Sequence, residues 1–205
     1  MSVIGHGVEI VTSGTRPASP FDGMQIYETD TRKMLVYNGS AWVEVFDIDN
    51  GGSNPIMRNV QSTVLTSATT QATNSTYADV TGLTVSITPS SSSSKVLVMA
   101  APVIGNDPGF SANFIALARG GTIILRGDSA GSRTRAVMAA NIDTGTAYSQ
   151  PIIYLDSPNT TSSTTYSVQV ASTGGTAYIN RSQDDTDSNY RGRYASTITV
   201  MEIPV

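Results

Sequence analysis

The densest chemistry-bearing stretch lies near the C-terminus, where Asp184-Asp185-Thr186-Asp187 precedes Asn189 and Tyr190. Clustered carboxylates offer the hard oxygen ligands that Ca²⁺ takes. The spacing lacks the glycine and closing glutamate of an EF-hand loop, so turn chemistry, with side chains bonding their own backbone, is the expectation. Asp47-Ile48-Asp49-Asn50-Gly51 reads the same way. Polar groups beside an aromatic ring also suit a sugar, hydroxylated at its rim and apolar on its C–H faces. Residues 182–191 are therefore the longest candidate binding loop, with Asp184, Asp185, Asp187, Asn189 and Tyr190 as its recognition side chains; a solvated connection is the competing expectation. Asn106-Asp107-Pro108-Gly109 and Asp128-Ser129-Ala130-Gly131 are shorter candidates of the same kind.

Catalytic constellations are poorly supported. His6 is the only histidine, and any Ser-His-Asp triad would have to use it. No G-x-S-x-G elbow accompanies it. With one histidine and no cysteine, multi-histidine and thiolate metal sites within one chain are excluded. Four glutamates occur, Glu9, Glu28, Glu44 and Glu202. Three of them fall in predicted strands, at positions expected to face solvent, and no acid pair stands out for glycoside hydrolysis. No catalytic residue, cofactor or metal ligand is expected.

Ten of the twelve basic residues are arginine. Arg133 with Arg135, and Arg191 with Arg193, occupy alternate positions, so each pair shares a face if extended. Arginine suits bidentate ion pairs at interfaces; partners within the chain, such as Asp128 or Asp156, are the equal alternative. The sequons at Asn38, Asn74, Asn159 and Asn180 carry no weight in a chain this rich in Ser and Thr.

These residues must be positioned by strands. Met24–Glu28, Lys33–Tyr37 and Ala41–Phe46 read as a three-stranded meander, with Asn38-Gly39 as a two-residue hairpin signal. Tyr27, Leu35, Tyr37 and Trp42 supply an apolar surface that three strands cannot cover alone, which marks Tyr27, Tyr37 and Trp42 as attachment residues. Gly14 to Pro20 is extended, because each proline disfavours helix in its predecessor. Residues 51–59 read as a linker. From residue 60 onward, Leu83, Val85 and Ile87 alternate with Thr84, Ser86 and Thr88, and Tyr166, Val168 and Val170 with Ser167 and Gln169. Lys95–Val103 is nearly continuously apolar and predicts a central strand buried on both faces. Further strands are expected at Ala112–Arg119, Thr122–Arg126, Thr134–Ala140, Pro151–Asp156, Thr176–Asn180 and Ser196–Ile203. Ala136–Asn141 is the nearest thing to a helix, and Ser90 to Ser94 reads as a flexible loop. The expected fold is all-β: an N-terminal meander over 1–50, a linker over 51–59, and an antiparallel β-sandwich or jelly roll over 60–205.

Composition narrows the partners. The net charge is −4, unlike the basic footprint of a nucleic-acid binder. No apolar run reaches the ~20 residues that span a bilayer, and residues 1–6 lack the pattern of a secretory signal. Charged residues are only 14% of the chain, while Ser and Thr number 52 of 205. A hydroxyl-rich, weakly charged surface fits a chain packed against copies of itself.

The stretch GTRPASP at 14–20, followed by Gly23, YETDT at 27–31 and YNGSAW at 37–42, resembles a module found in tail-fibre and other structural proteins of tailed bacteriophages. Much of 60–205 is similar to a β domain of phage virion proteins, through SKVLV at 94–98, LDSP at 155–158, YSVQV at 166–170, GTAYINR at 175–181 and ASTITVMEI at 195–203. The resemblance implies a non-enzymatic virion component on tail, neck or capsid exterior, with a trimeric head. It implies partners among other virion proteins and copies of itself; a host surface glycan is the ligand that the loop at 182–191 suggests. It supplies no catalytic residues. A short tail- or neck-associated fibre is the leading reading, a capsid decoration protein the second, and a glycan-cleaving virion enzyme a third.

Overall fold

A computed structural model describes residues 8–47, 58–73, 75–105, 112–140, 147–173 and 175–205. His6, residues 51–57 of the linker and the Asn106–Gly109 loop lie outside them. The chain divides into two compact units, residues 1–56 and 57–205.

In the first unit, β1 (Glu9–Val11), β2 (Gln25–Glu28), β3 (Lys33–Tyr37) and β4 (Trp42–Asp47) form one sheet in that order. The last three strands are the expected meander. The fourth member, β1, runs parallel to β2, and three residues are too few to show alternation in sequence. The Asn38-Gly39 turn is built as its chemistry demands. Asn38 Oδ1 accepts from the backbone of Ser40 and Ala41, and Gly39 takes φ 88°, a region that costs a Cβ-bearing residue strain. One face buries Val11, Ile26 and Leu35, with Trp42 packed against them.

The second unit is an antiparallel sandwich. Its strands are β5 (Arg58–Leu65), β6 (Thr69–Ala72), β7 (Ala78–Ile87), β8 (Lys95–Ala101), β9 (Val103–Gly105), β10 (Asn113–Arg119), β11 (Thr122–Leu125), β12 (Met138–Ala140), β13 (Ala147–Ser149), β14 (Ile152–Asp156), β15 (Thr164–Ser172), β16 (Thr176–Ile179) and β17 (Ser196–Ile203). One layer has the order β11-β10-β15-β7, with β12 also on β10. The other is a four-stranded ladder, β14-β8-β17-β5, continued by β13-β9-β16-β6 in the same order. Thus β5 runs on into β6, β8 into β9 and β13 into β14, while β16 reaches β17 only through residues 180–195. The break falls at Pro102 in one strand and beside Pro151 in another, where the missing N–H interrupts a ladder. The chain crosses between layers at β6–β7, β7–β8, β9–β10, β12–β13, β14–β15 and β15–β16, as in a jelly roll. Leu83 and Val85 of β7, Val96 and Val98 of β8, Ile115 and Leu117 of β10, Tyr166 and Val168 of β15, and Ile198 and Val200 of β17 make one shared core.

Several expectations need correction. Lys95–Val103 is not buried on both faces: Val96, Val98 and Ala100 point inward, while Leu97, Met99 and Ala101 are half-exposed on the outside. The near-helical segment is the strand β12, with Asn141 outside the described residues, and only Met138–Ala140 of the predicted Thr134–Ala140 is strand. The serine run is pinned rather than loose, because Ser90 donates through both N and Oγ to Glu202 Oε1. Glu28 and Glu202 do not face solvent; both are buried, and hydrogen bonds from their neighbours satisfy them.

Candidate functional site

The predicted binding loop joins β16 to β17, and its two ends are tied at one buried hub. Asn180 sits just after β16 in the left-handed region, φ 58°, with no exposed surface. Its Nδ2 donates to Leu65 O at 2.7 Å and Ser67 O at 3.1 Å. Ser196 Oγ, at the start of β17, donates to Asn180 Oδ1 at 2.6 Å and accepts from Val103 N at 2.8 Å. The loop's departure, its return and the bend of the sheet are thereby fixed together. Gly105 sets how close the loop can lie. A Cβ there would stand 2.3 Å from Arg181 O, so only glycine admits this approach. Asn180 entered the sequence reading as a sequon and as the last residue of a strand, and neither local signal shows its burial.

Within the loop the acids are partnered. Asp184 Oδ1 accepts from Thr186 N at 3.1 Å and from Thr186 Oγ1 at 2.5 Å, and Arg191 donates to Asp184 Oδ2 at 2.5 Å. Hydrogen bonds from Thr186, then Arg191, pull the Asp184 carboxyl down to about 2. Arg193 binds Asp185 through both terminal nitrogens, and Arg181, stacked 4.9 Å over Tyr178, lies 3.6 Å from the same carboxylate. The alternate arginines Arg191 and Arg193 thus find partners inside their own loop. Turn chemistry, rather than a cluster of open oxygen ligands, organises Asp184 and Asp185. Among the described residues no three His, Asp or Glu side chains converge as a metal site. Asp185 and Thr186 are exposed but tied within the loop, and beside them Asp187, Asn189 and Tyr190 face outward, the last 84% exposed. Beside them lies a depression of about 190 Å³ lined by Asp185, Thr186, Asp187, Ser188, Arg191 and Arg193.

Arg133 and Arg135 do not lie on a strand, since β12 begins only at Met138. Arg135 Nε donates to Gly127 O at 2.7 Å, and Tyr77 Oη donates to Arg135 O at 2.7 Å. Among the described residues neither arginine forms an ion pair. Asp156, suggested as a partner for them, instead accepts from Arg119 at 2.7 Å and from the buried Tyr166 hydroxyl at 2.6 Å. This triad joins β14 in one layer to β10 and β15 in the other.

In the N-terminal sheet the motif residues hold the fold. Arg16 Nε and Thr31 Oγ1 both donate to buried Glu28, and Ser13 donates through N and Oγ to Asp30. The Arg16 hydrogen bond, more than the burial that opposes it, holds the Glu28 carboxyl below the usual carboxylate range. Tyr37 and Trp42 meet edge to face, centroids 5.4 Å apart, so these two are spent on packing within the sheet. Tyr27 is different: it is in register with Ile10 and Met34, on the face opposite Ile26. That face also carries Val36 and Val43, and it leaves Ile10 73% and Val43 45% exposed.

A second open face was missed in the sequence. The outward side chains of β14-β8-β17-β5 include Ile153 and Leu155, opposite Met99 and Leu97, which in turn lie opposite Thr199 and Met201. Ile153 is 67% and Val64 59% exposed. The continuous apolar run of β8 was the available signal, but it was taken to mean burial by the chain's own second layer.

No protein-family model matches the chain, and no curated protein matches it.

Proposed function

We propose that the chain is a non-enzymatic structural component of a tailed-phage particle: a short tail- or neck-associated fibre that assembles as a homotrimer, attaches through its N-terminal sheet and presents the sandwich to the host surface. One observation carries the attachment role. The residues of the fibre-like module are used to lock a single sheet, through Arg16, Glu28, Thr31 and the Tyr37–Trp42 contact, and the opposite face of that sheet stays open and apolar. A one-layer sheet with Ile10, Tyr27, Met34, Val36 and Val43 on its bare side is built to lie against something. The host-facing role falls to the outward-pointing Asp187, Asn189 and Tyr190, held on a rigid hub, an arrangement suited to a glycan.

The test places Ile10→Lys with Val43→Lys in the full chain. Both side chains are exposed, so stability should move by only about 0.5 kcal/mol. Particles made with this variant should lose the protein while its free form stays folded. Normal incorporation would overturn the attachment role. Imaging particles that carry the wild-type chain then separates a fibre from a capsid decoration protein, which would use the same faces elsewhere on the particle.

A further inference from the structure

We propose that the outer face of β14-β8-β17-β5 is the surface on which copies of this chain pack against one another. The inference rests on the reading that the chain self-assembles, and it names the surface.

An antiparallel sandwich turns one side of each sheet to its core and the other to water, so outward positions are ordinarily polar. The other layer obeys this rule where β7 meets β15: outward Ser86 and Thr165 share a hydrogen bond of 2.7 Å. The β14-β8-β17-β5 layer breaks it with Leu97, Met99, Ile153, Leu155, Met201 and Val64. Leaving such side chains in water forfeits roughly 25 cal/mol for every Å² that a partner would cover.

Three features point to a second copy as that partner. First, the face is nearly uncharged. The outward residues at 62, 64, 97, 99, 101, 153, 155, 197, 199, 201 and 203 are Ser, Val, Leu, Met, Ala, Ile, Leu, Thr, Thr, Met and Ile, and among the described residues Lys95, at one end of β8, is the one charged side chain beside them. A copy of the chain can meet this face with Lys95 at its margin, whereas a partner steered by charge would find little to read. Second, the face carries both a ridge and a groove. Ile153 and Leu155 stand out on the edge strand β14, next to a groove of about 220 Å³ lined by Met99, Ala101, Pro151, Thr197 and Thr199. If the ridge of one copy enters the hollow of the next, the two copies meet through different parts of the face, and a head-to-tail contact of this kind closes into a ring when the rotation permits. Third, the size comes close to what a specific interface needs. Four strands about 4.8 Å apart, with about six residues each at about 3.3 Å, present roughly 400 Å² in projection. Two such faces approach the ~1,000 Å² that a specific interface needs, before side-chain relief is added.

Light scattering of the full chain at micromolar concentration, with Ile153→Glu plus Leu155→Glu as the variant, tests this. Wild type should show a mass near three times 21.5 kDa, and the variant should fall to 21.5 kDa with an unchanged circular-dichroism spectrum. A monomeric wild type overturns the interface, while particle incorporation still reports separately on attachment. A variant that keeps the wild-type mass shows that copies meet elsewhere, which overturns the proposal but leaves self-assembly standing. A second measurement needs no disruptive change, because the chain has no cysteine of its own. In the oligomer, a thiol introduced as Ile153→Cys should be alkylated about tenfold more slowly than one introduced as Tyr190→Cys, since access controls thiol reactivity. Equal rates overturn the proposal.

Discussion

Replacing Arg16 by alanine should loosen the N-terminal sheet and leave the sandwich untouched. Glu28 has no exposed surface, and its donors are Arg16 Nε and Thr31 Oγ1. Removing one partner of a fully buried ion pair costs about 3–5 kcal/mol, because the other charge is left unpaired. Here the Arg16 side chain is 38% exposed and the unit is a single sheet, so water screens the pair and Thr31 still donates. A charge-assisted hydrogen bond of this kind is worth about 1.5–3 kcal/mol, and about 2 kcal/mol is the expected loss. That is large for a sheet whose buried apolar cluster is Val11, Ile26 and Leu35 with Trp42 packed against it. Converted at about 1.4 kcal/mol per decade, it raises the opening equilibrium roughly thirtyfold. Amide hydrogen exchange at neutral pH should therefore speed up about thirtyfold at Ile26 and Leu35, while Val98 and Val168 in the sandwich keep their protection. The pH arm has a definite sign. Glu28 is held below its ordinary value in the folded chain, so its contribution is fully present above the unfolded pKa and is lost as pH falls through the folded one. Glu28→Gln should remove that acid-side loss. Unchanged protection in Arg16→Ala, or an equal fall in both units, would refute the assignment of Glu28 and Arg16 as the lock of this sheet.

Gly105→Ala should destabilise the sandwich by about 2–3 kcal/mol, measured by urea denaturation, because the new Cβ would meet the backbone carbonyl of Arg181 rather than a movable side chain. Asp156→Ala should cost about 3 kcal/mol by the same assay, since it strands the buried Tyr166 hydroxyl and the Arg119 guanidinium. Burial pushes Tyr77 up to about 12. A raised phenol contributes stability below its unfolded value near 10 that is lost as pH rises toward 12, so Tyr77→Phe should flatten alkaline unfolding between those limits. Tyr190→Ala with Asp187→Ala should leave folding unchanged and abolish adsorption of particles to host cells; unchanged adsorption would remove this loop as the receptor site.

What the sequence made legible follows from where each signal resides. Alternation at Leu83, Val85 and Ile87, and at Tyr166, Val168 and Val170, marked β7 and β15 because a two-residue period is local. The predicted Ser196–Ile203 matched β17 to the residue for the same reason. The N-terminal turns were legible through Asn38-Gly39. Parallel β1, the short β6 and β13, and the change of role at Pro102 were not, since pairing partners far along the chain decide them. Glu28 and Glu202 were misread because a carboxylate in a strand is ordinarily a surface residue. Only the arrival of Arg16 and Thr31 at one, and Ser90 at the other, makes burial tolerable. In the loop, composition identified the residues but not their pairing. Asp184 and Asp185 turned out to be held by Arg191 and Arg193, leaving Asp187, Asn189 and Tyr190 outward.

The run Lys95–Val103 shows how one sequence signal can serve two levels of structure. Continuous apolarity says that both sides of a strand leave water, and it does not say what covers each side. Val96, Val98 and Ala100 are covered by the chain's own second layer. Leu97, Met99 and Ala101 continue outward into a surface with Ile153 and Leu155 that this layer does not reach. If the run had encoded burial by the fold alone, the outer positions of the neighbouring strands β14 and β17 would have had to bring a third layer with them. They bring Ile153, Leu155 and Met201 instead, which extend the apolar surface. The expectation of burial on both faces therefore fails for this chain, whose second layer covers one side of the strand only. Half of the strand's hydrophobicity belongs to the core, and the other half faces outward, where the contact proposed between copies, tested by the Ile153 and Leu155 substitutions, would cover it.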